Sequence, residues 1–180
     1  MPRTFIAIET PDSLKADVTQ LHTRIPGVRW TPPQQIHLTV SFLGDTPDEL
    51  IPEIRNALDK IPFSAFTLSC SATGFFPLRG RPSVFWLGFT PCPALGKLKN
   101  NIDEALLPIG FLPEKRPFSP HLTLARLKAS LGREMPARLE NLAKRLPIQE
   151  IAVSSFCLFG SRILPQGAEH SILAQFQAKN

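Results

Sequence analysis

Residues 37–44 read HLTVSFLG and residues 121–128 read HLTLARLK. In both stretches polar and apolar side chains alternate from the histidine onward, the period of a strand with one buried face. On such strands His37 and Thr39 share one face, as do His121 and Thr123, while Leu38, Val40 and Phe42, or Leu122 and Leu124, turn toward a core. One His-x-Thr strand would be an ordinary half-buried element. Here two of the chain's four histidines carry the same Leu-Thr extension, and what surrounds them repeats as well.

Before the first motif, residues 4–8 (TFIAI) form a β-branched and aromatic run. Thr10-Pro11-Asp12 then starts a helix, with Thr10 as its cap and Leu14, Val18, Leu21 and Ile25 at helical spacing up to Pro26-Gly27. After the first motif, Thr46-Pro47-Asp48-Glu49 opens a second helix with a capping box, its buried stripe being Leu50, Ile54, Leu58 and Ile61. Residues 65–72 follow as a strand. The second half repeats this order: a strand at 83–89, a helix at 93–107, the strand 121–127, a helix at 136–146, and closing strands at 150–159 and 171–176.

The duplication predicts an α+β protein of two pseudo-symmetric lobes, roughly 1–72 and 83–160 with a closing strand near 171–176, joined in one bilobal domain. Antiparallel-rich sheets face a central cleft and the helices lie outside. The same order of elements is also compatible with one mixed sheet of βαβ units.

Composition narrows the setting. The 180 residues are 43% apolar, enough to bury a substantial core, and the 19 prolines are scattered between apolar segments as punctuation. Lys and Arg exceed Asp and Glu by 20 to 15, which suits an anionic partner without identifying one. Three widely spaced cysteines, Cys70, Cys92 and Cys157, form neither a disulfide framework nor a C-x-x-C metal pair. No apolar run approaches a membrane span, so a soluble cytoplasmic protein is expected.

If the two strands line one cleft, His37 and His121 stand on opposite sides of a bound group as an acid and base pair. Histidine titrates near neutrality, so one ring can hold a proton while the other accepts one. Thr39 and Thr123 are then placed to hold oxygens that gain charge. Displacement at phosphorus needs this arrangement, because a nucleophile loses a proton on one side while an oxygen leaving group gains one on the other. A phosphodiester meets both needs. No H-E-x-x-H, clustered Cys/His spacing or Gly-rich phosphate loop is present, so neither a metal nor a nucleotide cofactor is implied.

In HLTVSFLG and PFSPHLTLARL, and in RTFIAIETP, VRWTPPQQIHLT, GFFPLRGRPSVFWLGF and LFGSRILPQGAEHSIL, the chain resembles the 2H phosphoesterases over nearly its whole length. Within them it resembles the bacterial and archaeal RNA 2′,3′-cyclic phosphodiesterases, also called 2′-5′ RNA ligases. The resemblance implies hydrolysis of RNA 2′,3′-cyclic phosphate ends to 2′-phosphates without a cofactor and, in some members, reversible ATP-independent 2′-5′ joining. It also implies that His37 protonates the departing 3′ oxygen, that His121 orients or deprotonates water, and that Arg126 contacts the phosphate or stacks on the terminal base. Strict alternation would turn Arg126 away from His121, so it reaches the cleft only round the strand end or past a bulge.

The expected partners are RNA or oligonucleotides ending in a 2′,3′-cyclic phosphate, and cyclic nucleotides, met by a monomer. A non-catalytic RNA-binding module and a 2H enzyme for another cyclic phosphate are the alternatives. His22 and His170, which lack a following threonine, are expected to be surface or structural residues, and Trp30 and Trp86 packing residues.

Overall fold

The computed structural model describes residues 2–128, 132–147, 149–164 and 167–179. Among the described residues nine strands and four α-helices follow the predicted order with one added strand, β2, and with the strand expected at 150–159 divided in two: β1 (Arg3–Glu9), α1 (Asp12–Gln20), β2 (Val28–Trp30), β3 (His37–Asp45), α2 (Ile51–Asp59), β4 (Phe66–Phe76), β5 (Val84–Phe89), α3 (Pro93–Leu106), β6 (His121–Leu127), α4 (Met135–Ala143), β7 (Glu150–Val153), β8 (Ser155–Leu164) and β9 (Gly167–Gln177). The strands run β7-β4-β5-β6-β3-β1-β8-β9, with β2 added to β6, and every pairing is antiparallel. This is the α+β class, and the βαβ alternative is not what forms.

The two halves are not separate sheets. One pairing, Leu38 opposite Leu122, joins β3 to β6 and hence one half to the other. The fourth strand of each repeat also crosses over: β4 pairs with β5 of the second repeat, and β8 pairs with β1 of the first. Each repeat therefore completes the sheet of the other.

One face of the sheet is closed by the helices. Leu14 and Val18 of α1, Ile54 and Leu58 of α2, Leu95, Leu98, Ile102 and Leu106 of α3, and Leu139 of α4 form one core with Leu38, Val40, Leu122 and Leu124. Those strand residues are the ones that alternate away from the histidines, so His37, Thr39, His121 and Thr123 share the face that the helices leave open.

Both expected caps do other work. Pro11 precedes α1 with no side-chain cap, and the buried Thr10 hydroxyl donates to the Ile36 carbonyl at 2.7 Å, fixing the residue before His37. Thr46 meets the Thr4 hydroxyl at 2.6 Å instead of capping a helix, and a 3-10 turn at Asp48–Leu50 leads into α2. Helix α1 stops at Gln20, yet Leu21 and Ile25 beyond it are buried. The apolar spacing marked the buried face correctly while hydrogen bonding ended sooner.

Candidate active site

The pairing of Leu38 with Leu122 sets the site. In antiparallel register it brings His37 beside Thr123 and Thr39 beside His121, the two histidines on one diagonal and the two threonines on the other. Both threonines and both histidines are half-buried. Neither threonine hydroxyl has a protein hydrogen-bond partner among the described residues, so both remain available to a ligand.

Backbone contacts orient the imidazoles in the same way. His121 Nδ1 lies 2.7 Å from the Ser119 carbonyl, so Nδ1 carries the hydrogen and Nε2 is the nitrogen left for chemistry. His37 bonds the backbone of Gln35, also two residues upstream, in the sense that favours its protonated form. Burial and the like charges of His170 and His121 overcome that contact and hold His37 down to about 4. In the ligand-free protein His37 is thus neutral at physiological pH.

A stability effect follows from this shift. Because the folded pKa lies below the ordinary histidine value, the unfolded chain takes up the proton first, and stability falls as pH drops from about 6.5 toward 4. Up to about 3 kcal/mol is lost through His37 over that window. Urea unfolding at pH 7 and pH 4.5 should show a larger acid loss for wild type than for His37→Gln. Equal losses would show that His37 is not held neutral.

Aromatic rings stand behind both histidines. Phe5 stacks on His37 at 4.8 Å, and Phe159 stacks on Phe5 at 5.1 Å. Phe76 meets His121 edge-on at 5.0 Å, and Trp86 lies 6.5 Å from it. The Trp86 indole lies over two glycines. A Cβ on Gly74 would overlap the indole, and one on Gly88 would come within 2.9 Å of Cζ3. Gly74→Ala should cost about 1–3 kcal/mol in urea unfolding, whereas Gly96→Ala on α3, where a Cβ meets nothing, should be neutral or stabilising. Equal effects would mean that the indole has another place to go.

Arg126 reaches the open face by a bulge. Thr123 pairs with Trp86 and Ala125 with Phe85, so Leu124 is an extra residue that reverses the alternation. Leu124 and Ala125 are buried in succession, and Arg126 emerges exposed. Strand β3 does the same at Val40, between the pairs Ala7–Thr39 and Ile6–Ser41. Phe42 therefore points outward at 61% exposure, not into the core as strict alternation predicts.

His170 is the site neighbour that sequence reasoning missed. On β9 it lies 5.4 Å from His37 and 5.1 Å from Phe5, edge-on to both, and its Nδ1 is buried without a partner. The stretch LFGSRILPQGAEHSIL holds it, but nothing local says what it meets, because it reaches His37 only after β8 docks on β1. His22 instead stacks on Trp30 at 5.1 Å, away from the paired motifs. The one thiol near His37 is inert: Cys157 approaches Glu9 Oε2 at 3.8 Å, and burial plus the Glu9 charge push it up to about 12. Two concavities of about 630 and 300 Å³, beside α1 and against β8 and β9, contain none of these residues.

The antiparallel α+β sheet thus presents two His-x-Thr pairs on one open face, and the class of protein with this sequence pattern is a phosphoesterase family. The family described as LigT like Phosphoesterase matches residues 8–86 and again 90–168, each stretch holding one motif. The chain belongs to that family. An RNA 2′,3′-cyclic phosphodiesterase of Thermus thermophilus is 31% identical, across 98% of this chain and 90% of that one. Another, from Archaeoglobus fulgidus, is 29% identical across 97% and 99%. Among solved structures, TT0787 of Thermus thermophilus superposes with a TM-score of 0.82 at 26% identity, covering 97% of both chains. LigT of E. coli complexed with NADP+ gives 0.78 at 25%, covering 99% of this chain and 98% of that one. Among the described residues no helix is long and apolar enough to cross a membrane.

Proposed function

We propose that this protein hydrolyses RNA 2′,3′-cyclic phosphate ends to 2′-phosphates, with His37 and His121 as the proton-transfer pair. The observation that carries this reading is the Leu38–Leu122 pairing, which sets both imidazoles and both free threonine hydroxyls around one point of the open face. The names of the relatives support the substrate.

His121 Nε2 takes a proton from water, the oxygen attacks phosphorus, and the P–O3′ bond breaks as His37 gives its proton to the leaving 3′ oxygen. The 2′ ester remains, leaving a 2′-phosphate. Thr39 and Thr123 donate to the non-bridging oxygens as their charge grows, and Arg126 holds the phosphate or the terminal base. With a ribose 5′-hydroxyl attacking in place of water, the same proton circuit run in the same direction joins RNA ends through a 2′-5′ linkage without ATP, and its reverse cleaves that linkage to re-form the cyclic phosphate. The two sheet halves act as lobes of a single bilobal domain, working as a cytoplasmic monomer on RNA ends and cyclic nucleotides without a cofactor.

The test is incubation with a 2′,3′-cyclic nucleotide in EDTA, with the product identified by chromatography. The expected product is the 2′-phosphate at an undiminished rate. A 3′-phosphate would reverse the leaving oxygen, and loss of turnover in EDTA would sink the two-histidine mechanism. Intact RNA binding without turnover would leave a binding module.

A further inference from the structure

Beside Arg126 the register places a second arginine that the mechanism does not use. In the pairing of β2 with β6, Arg29 lies directly opposite Arg126, between the pairs Val28–Leu127 and Trp30–Ala125. Both arginines are exposed. Val28 and Trp30 pack against the core, so Arg29 points to the other side. Arg126 also pairs with Val84, which shares a strand face with Trp86, the neighbour of His121. Arg29, Arg126 and Val84 therefore form one row on the face that carries the histidines.

Like charges directly opposite on an antiparallel pair are destabilising, with Cβ atoms only about 4.5–5.5 Å apart. Among the described residues neither guanidinium meets a carboxylate. Nor is β2 a loose segment that could swing Arg29 away. The Thr31 N–H donates to the Leu124 carbonyl and the Lys128 N–H to the Gly27 carbonyl, both at 2.9 Å. The Trp30 indole N–H is bound to the Thr23 carbonyl at 2.9 Å. Two cations are thus held on neighbouring strands with no carboxylate partner among the described residues, which is the arrangement an anion completes.

The row also lies at a definite distance from the proposed chemistry. With the bulge at Leu124 counted, Arg126 is two ladder steps beyond Thr123, about 7 Å along the strand and of the order of one nucleotide step. We infer that Arg29 extends the site beyond Arg126 as a second anion subsite, which grips the internucleotide phosphate one step upstream of the cyclic end while Arg126 holds the terminal nucleotide, and so aligns the RNA strand along β6. The inference rests on the proposed action at RNA ends, and it adds Arg29 as the residue that separates an oligonucleotide from a mononucleotide.

The test compares kcat/KM on a 2′,3′-cyclic mononucleotide with that on a trinucleotide ending in the same cyclic phosphate, for wild type, Arg29→Gln and Arg29→Lys. Arg29→Gln should lower the trinucleotide-to-mononucleotide ratio about tenfold and reduce the log–log salt slope on the trinucleotide by about one. Arg29→Lys, which keeps the charge, should restore most of the ratio. A ratio that stays at the wild-type value in Arg29→Gln overturns the subsite. If wild type turns over neither substrate, the proposed activity falls by itself, and equilibrium binding of the same trinucleotide then decides. Weaker, less salt-sensitive binding by Arg29→Gln upholds the subsite, and unchanged binding removes it.

Discussion

On a 2′,3′-cyclic nucleotide, His121→Ala is expected to lower kcat/KM by about 10²–10⁴-fold, and His37→Ala by a similar factor. The double variant should fall no more than about tenfold below the worse single one, because both rings serve one proton circuit and either loss breaks it. Losses that multiply would show two independent contributions. Urea midpoints measured alongside separate chemistry from folding, since both histidines are only half-buried and their removal leaves the core intact.

The resting state of the site sharpens this expectation. An acid must carry its proton when it meets the substrate, yet His37 is held down to about 4 by burial and by His170 and His121 beside it. A bound phosphodiester adds negative charge at that point, which favours the imidazolium. Inorganic phosphate should therefore raise the His37 pKa by roughly one to three units, read from its ring proton shifts against pH. If phosphate binds and His37 does not move, the proton for the leaving oxygen comes from His121 and the two roles exchange.

How far the sequence could be read depends on the range of the forces involved. The repeated His-Leu-Thr strands and the apolar stripes of the helices were legible because alternation and helical spacing are local. Leu38 and Leu122 were marked as buried, and they are, although nothing local says that they pair with each other. The exchange of β4 and β8 between repeats was not legible for the same reason: strand pairing is settled in three dimensions. The bulges at Val40 and Leu124 lie between the two cases. A departure from alternation is needed if Arg126 is to join His121, but the same departure at Val40 carries no such clue, and Phe42 is misplaced as a result. His170 and Arg29 lie in stretches that carry the family resemblance, LFGSRILPQGAEHSIL and VRWTPPQQIHLT, but their place beside the histidines comes from tertiary pairing and no local pattern gives it.

The single join between β3 and β6 carries the second large effect. Leu122 is fully buried and packs in the core that α3 also enters, so Leu122→Ala should cost about 2–5 kcal/mol in urea unfolding. Leu98→Ala, on α3 with 1% exposure, removes the same atoms and should cost a similar amount. Their effects on turnover should differ. Leu122 stands between His121 and Thr123 and opposite Leu38, so a cavity there loosens the one contact that sets His37 against His121. Because proton transfer requires reach to within hydrogen-bond distance, a shift of about 1 Å can cost about 10²-fold. At a temperature where both variants are fully folded, kcat of Leu122→Ala should fall well below that of Leu98→Ala. Equal kcat values would mean that the two halves of the sheet are held in place by the shared core and not by the Leu38–Leu122 pairing.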